Sequence, residues 1–275
     1  MVFCKQSFDM EGKRMVFSDH LEELRRMLLR IIAVVLALAV AIFCFKEKTF
    51  DLLMAPSQWD FVTYRYIERL FHWMGVGFRF SEFHVNLIAT DLSSQFMTHI
   101  ATALYLGMLF ASPYILYELF RFVTPALYEH ERKYSVRVAL TVFLLFVIGV
   151  LMSYFVLFPI SFRFLGTYSV SKMVESNITL KSYISTFTTL TLVMGLVFQL
   201  PVIAFFLGKL KVIDSNMLKR YRAYAFLVIM LVAAVITPPD LMTLILVTVP
   251  LYLLYETSRL LLKRMEKRER RQSHA

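Results

Sequence analysis

Carboxylates without a cation on their own helix are the residues of this chain best placed to do chemistry on something else. In the run Ile115 to Lys133, reading I-L-Y-E-L-F-R-F-V-T-P-A-L-Y-E-H-E-R-K, Glu129 has Arg132 and Lys133 three and four residues further on. It is neutralised on its own helical face. Glu131 has Leu127, Tyr128, Tyr134 and Ser135 as helical neighbours, none of them cationic, so its carboxylate is available to an outside group. A second acidic stretch, Ser18-Asp19-His20-Leu21-Glu22-Glu23-Leu24-Arg25-Arg26, opens a helix with Asp19 as cap and Glu22 completing a capping-box-like pair. Glu23 has Arg26 at i+3 but no capping role, so it is also a candidate for an external partner. The plain alternative for both residues is a solvated acid. No catalytic constellation competes with them: the six histidines are scattered with no i, i+4 pair, and there is neither a P-loop nor a metal-ligand cluster. The reading is therefore of a protein that is not an enzyme and holds no cofactor.

The elements that must position these acids are apolar helices. Of the 275 residues, 58% are hydrophobic and 26 are Phe, well above the apolar share of soluble domains. The fold class expected is an all-α polytopic membrane protein with six transmembrane helices, the last two short. The spans run about 27–45, 96–123 (kinked near Pro113), 136–157 (continuing into Phe158-Pro159), 183–207, 224–236 and 241–255. Thr124-Pro125 is predicted to end the second span and open a new helix, with Thr124 as N-cap and Pro125 at the first helical position. Thr237-Pro238-Pro239-Asp240 forms the turn between the last two spans. In domain terms, residues 1–17 are a tail without assigned structure, 18–262 the six-helix domain and 263–275 a basic C-terminal tail. Met15 offers an alternative start. A secretory leader is the competing reading of the first span, but the region before it is long and acid-containing, and its apolar run continues past the small-residue sites.

Cation asymmetry sets the orientation. Of the 30 Lys and Arg, 22 fall on the side bearing both termini, so the termini are cytoplasmic. Nucleic-acid binding does not follow from the net charge of +10, because the cations flank apolar segments instead of gathering on one domain. Cys4 and Cys44 lie at opposite ends of the first span, which precludes a bridge between them. The longest polar connection, residues 46–95, contains an amphipathic helix from Gln58 to Met74. Its stripe is Phe61, Tyr64, Ile67, Leu70 and Met74, with Trp59, Tyr66 and Trp73 beside it at the headgroup level.

In order and in approximate spacing, the segments His20 to Arg25, Ile88-Ala89-Thr90-Asp91, Thr124 to Arg132, Phe155 to Pro159 and Thr237 to Asp240 resemble the TatC component of twin-arginine translocases, over about residues 18–262. The resemblance implies a receptor in the bacterial cytoplasmic membrane that binds the twin-arginine signal peptides of folded export substrates. It also implies assembly with single-span partners of the TatA/TatB type, self-association, and transport driven by the protonmotive force. On the family's motifs, Glu23 and Glu131 receive the leader's arginines, with Arg25 beside them. This agrees with the chemistry, since guanidinium is planar, permanently charged and suited to bidentate carboxylate pairing. Gln199, in the fourth span, is implied as a docking point for a partner helix. The family has Glu or Gln there, and the neutral choice here removes a titratable proton. The 58–83 segment looks longer than its family counterpart and carries no assigned role. The rival expectation is a secondary transporter or channel, in which Gln199, Pro201 and Asp240 line a solute path between paired ionisable residues near the midplane.

Overall fold

The computed structural model describes residues 17–75, 77, 83, 85–127, 132–168, 177–238 and 240–273. Helix α1 (Phe17–Cys44) is followed by α2 (Lys46–Met54) and, after a 3-10 turn at Ala55–Ser57, by α3 (Val62–Trp73). A two-residue strand β1 (Leu87–Ile88) precedes α4 (Ser94–Leu127). Then come α5 (Arg132–Met152) and α6 (Phe158–Thr167), joined without a break by a π-helical turn at Ser153–Leu157. Strand β2 (Ile178–Thr179) pairs in parallel with β1 through Leu87↔Ile178 and Ile88↔Thr179. The chain ends with α7 (Leu180–Val197), α8 (Leu200–Lys209), α9 (Ser215–Arg220), α10 (Arg222–Ile236) and α11 (Leu241–Ser273).

Five of the described helical segments are long and apolar enough to cross a membrane: Leu21–Cys44, Ser94–Leu119, Ala139–Thr167, Leu180–Lys209 and Leu241–Arg268; α10 is a shorter apolar helix. At 15 residues, α10 reaches about 22 Å, less than the roughly 30 Å of hydrocarbon in an average bilayer. The apolar part of the last helix is short, and α11 runs on past it as one helix of 33 residues through the basic tail.

Two expected boundaries move. Helix α4 continues through Pro125 to Leu127, so Thr124 is not an N-cap and Pro125 does not open the next helix. Proline's φ is already helical and its missing N–H costs one bond, which a last turn tolerates better than a helix centre. Residues 128–131 lie outside the described residues, and α5 starts at Arg132. Likewise α1 already runs from Phe17, so Asp19 lies within its first turn and does not cap it.

The core gathers where α2, α3, α5, α6 and α7 meet. Phe158 packs edge-on against Tyr183 and Phe187, each at 5.0 Å between ring centroids, an arrangement favoured by the ring quadrupoles. The carbonyls of the last turn of α2 have no partner inside the helix, and side chains supply it. Tyr154 donates to Leu52 O at 2.8 Å, Tyr183 to Leu53 O at 2.7 Å and Ser57 to Met54 O at 2.7 Å. Pro159 explains another contact. Lacking an N–H, it leaves the Phe155 carbonyl without its usual donor, and Thr63 donates its hydroxyl to that oxygen. Tyr64 then donates to Pro159 O at 2.8 Å. Burial pushes the Tyr64 phenol above its ordinary value, with the Arg163 charge acting the other way, so it remains a donor at neutral pH.

Candidate functional site

Helices α1 and α4 pack antiparallel, and glycine permits the close approach: a Cβ on Gly107 would stand 2.9 Å from both Ala39 N and Val35 O. At one end of this seam Phe43 stacks on His99 at 4.1 Å. Toward the other end, Arg30 of α1 pairs with Glu118 of α4 at 3.2 Å. These contacts fix the register. Glu23 lies seven residues before Arg30, about 10 Å along α1, and Leu127 nine residues after Glu118, about 13 Å along α4. Glu23 is therefore level with the last turn of α4, where the chain leads into residues 128–131.

The side chains at this end are distributed as follows. Glu22 pairs with Arg26 at 2.5 Å, so Glu22 is satisfied within its helix by an i+4 cation. With Arg26 engaged there, Glu23 and Arg25 are exposed and have no hydrogen bond or ion pair among the described residues. Glu129 and Glu131 lie outside the described residues.

Glu118 is the residue that local reasoning missed. Its side chain is 5% exposed while that of Arg30 is 48% exposed. Its other oxygen accepts from the Tyr114 hydroxyl at 3.1 Å. The signal was present in sequence, as a glutamate in an apolar run and an arginine one turn inside another. Only the antiparallel register joins them.

Gln199 stands at the break between α7 and α8 and is 8% exposed. Its Nε2 donates to Val142 O of α5 at 3.1 Å and to Gly195 O at 3.4 Å, while Oε1 has no partner among the described residues. The nearer of the two carbonyls it reaches thus lies on the neighbouring helix. That carbonyl is close because Gly149 lets α5 approach α7: a Cβ there would lie 2.6 Å from Met194 O. At the opposite end of the bundle, Asp240 Oδ1 accepts from Thr243 N at 2.6 Å and caps α11. Thr237 donates to Ala233 O at 3.0 Å, and Pro238 O accepts from Asp240 N at 2.7 Å. Pro239 lies outside the described residues. No group of three or more His, Cys, Asp or Glu that could hold a metal occurs among the described residues.

These features define a multi-pass helical membrane protein with an exposed glutamate, Glu23, at the end where α1 begins and α4 ends. A family model for the Sec-independent protein translocase protein TatC matches residues 19–250. The chain is 34% identical over 252 residues to TatC of Blattabacterium sp. subsp. Periplaneta americana, covering 90% of this chain and 95% of that one. It is 37% identical over 191 residues to TatCy of Bacillus subtilis, covering 70% and 75%. A crystal structure of the twin-arginine translocase receptor TatC superposes with a TM-score of 0.72 at 30% identity, covering 88% of this chain and 99% of that one. The chain belongs to the TatC family of Sec-independent protein translocase proteins.

Proposed function

We propose that this protein is the receptor and core membrane subunit of a twin-arginine translocase in the bacterial cytoplasmic membrane. It binds the twin-arginine signal peptides of folded proteins at its cytoplasmic rim and nucleates assembly with other Tat subunits; it performs no enzymatic step. The observation that carries this reading is the register of α1 on α4. It sets an exposed Glu23, without an ion partner among the described residues, level with the end of α4, four residues before Glu131 in sequence. In the proposed site Glu23 and Glu131 receive the two guanidinium groups and Arg25 flanks them. Charge-assisted hydrogen bonds of this kind contribute about 1.5–3 kcal/mol each when shielded and less where water reaches them.

Single-span partners of the TatA/TatB type, self-association and energy from the protonmotive force belong to the same proposal. Partner docking at Gln199 is narrowed to the one atom without a partner among the described residues, Oε1, because Nε2 already bonds Val142 and Gly195. A solute path would need ion pairs wholly at mid-span; of those that join apolar helices among the described residues, Arg30 with Glu118 and Arg222 with Glu256, each has one partner at a helix end, Glu118 in the last turn of the segment Ser94–Leu119 and Arg222 at the first residue of α10.

The test is binding of a synthetic twin-arginine leader peptide to the purified protein in detergent, set against its twin-lysine form. Glu23→Ala and Glu131→Ala each weaken arginine-leader binding about tenfold or more, while Glu22→Ala, whose acid pairs with Arg26, and Glu129→Ala, whose acid has Arg132 and Lys133 three and four residues on in sequence, change it little. Equal affinity for both leaders, or Glu129→Ala proving the more harmful, refutes the site.

A further inference from the structure

Helix α3 has two apolar faces, and only one of them is used. Thr63 and Tyr64 are buried against the π-helical turn and α6, and Phe61, just before the helix, is buried with them. At 3.6 residues per turn, Val62, Tyr66, Leu70 and Trp73 share a different sector. All four are exposed, Trp73 to 84%. The adjoining sector carries Arg65, Arg69 and His72, also exposed, and the Arg69 guanidinium lies 5.7 Å from the Tyr66 ring centroid. Trp59, exposed just ahead of the helix, extends the aromatic sector. An outward face divided into an aromatic half and a cationic half is the pattern of a helix lying in a membrane interface.

What places this face at that depth is bonding to a span. The segment Ala139–Thr167 has 29 residues, about 43 Å of helix against roughly 30 Å of hydrocarbon. The excess of about 13 Å is taken up by tilt or by helix that stands outside the apolar layer. Thr63 and Tyr64 bond to the carbonyls of Phe155 and Pro159, twelve and eight residues before its end, in the last part of the span. One turn beyond Pro159 stands Arg163, its guanidinium 5.2 Å from the Tyr64 ring and 4.6 Å from that of Phe83. A cation at that point marks the passage into the polar layer. The end of α10 gives the same level, because Ile236, Thr237 and Pro238 line one cavity with Phe158, Ser161 and Phe162.

We propose that α3 is an interfacial anchor whose outer face, Val62, Tyr66, Leu70 and Trp73, is seated in the phospholipid headgroup layer, with Arg69 directed to lipid phosphates and Arg65 held at 3.0 Å by Asp60. The helix thereby fixes the depth of the bundle on that side of the membrane. Water is a poor alternative occupant, since it would leave a contiguous aromatic patch hydrated.

The chain contains two tryptophans, Trp59 and Trp73, so its intrinsic indole fluorescence reports on this element alone. The full-length protein is reconstituted into phosphatidylcholine vesicles brominated either near the headgroup or deep in the acyl chain, and quenching is compared with that by aqueous iodide. A Trp59→Phe variant isolates Trp73. Shallow bromolipids are expected to quench Trp73 about twofold or more better than deep ones, with iodide quenching weak. Strong iodide quenching without bromolipid quenching would place α3 in water. Deep exceeding shallow quenching would place it inside the hydrocarbon, and no quenching by either agent would place it against a second copy of the chain. Each of these three results overturns the proposal. Tyr66→Ser with Leu70→Ser, which alters only exposed side chains, should halve the bromolipid quenching while leaving Tm in detergent unchanged. A drop in Tm would show that this face serves folding instead.

Discussion

Glu118 holds its place through one cation and one phenol, and the two ends of its ion pair are unequally buried. That asymmetry makes the consequence of breaking it directional. Removing Arg30 strands a buried carboxylate, whereas neutralising Glu118 leaves an arginine that can reach water. Arg30→Ala is expected to cost about 1–3 kcal/mol, reduced from the fully buried case because the guanidinium is half exposed. Adding Glu118→Gln should restore part of that loss. Thermal unfolding in detergent reads both, and a double variant less stable than Arg30→Ala alone would contradict the account. For Gln199, whose amide bonds a neighbouring helix, Gln199→Leu removes the second donor of the Val142 carbonyl, which keeps its bond within α5. A cost of about 0.5–1.5 kcal/mol follows, visible as a lower Tm of the purified protein. Unchanged stability with lost subunit assembly would instead return the residue to partner docking.

At the level of elements, the join between α5 and α6 depends on a substitute donor. Pro159 interrupts the ladder of backbone bonds inside a span, and the interruption is tolerated because Thr63, from a helix 92 residues away, supplies the hydroxyl. Thr63→Val should therefore destabilise the protein by about 1–2 kcal/mol. Combining it with Pro159→Ala, which reinstates a backbone N–H, should recover part of the loss. If Thr63→Val is as costly in the Pro159→Ala background as in the parent chain, the hydroxyl is not replacing the missing donor. The same economy recurs in α2, whose terminal carbonyls take donors from Tyr154, Tyr183 and Ser57, so a short helix is locked to two spans by two phenols, with Ser57 of the next turn closing its own end.

For the whole molecule, the proposed orientation sets Glu23, where α1 begins and α4 ends, and the basic end of α11 in the cytoplasm, with α2 and α3 on the other face. After Cys4 and Cys44 are replaced by serine, a membrane-impermeant maleimide should label Lys48→Cys in intact cells and Lys267→Cys only after permeabilisation. Labelling of Lys267→Cys in intact cells would invert the orientation and remove Glu23 from the side on which leaders arrive.

The helical membrane class, the positions of the spans and the acids worth testing were legible in the chain itself, because hydropathy, cation asymmetry and i, i+4 pairing are local properties. Glu22 is engaged by its own helix, though through Arg26 and not through a cap, since α1 begins earlier than its capping residues suggested. The tertiary structure decided what depends on neighbours distant in sequence. The Pro125 boundary moved because a proline's cost depends on where in the helix it falls. The span through Pro159 ran on to Thr167 because a donor arrives from α3. The carbonyl that Gln199 reaches was set by how closely Gly149 lets α5 approach α7. Arg30 and Glu118 lie 88 residues apart, and no local periodicity could pair them; only the antiparallel register of α1 on α4, made close by Gly107, does so.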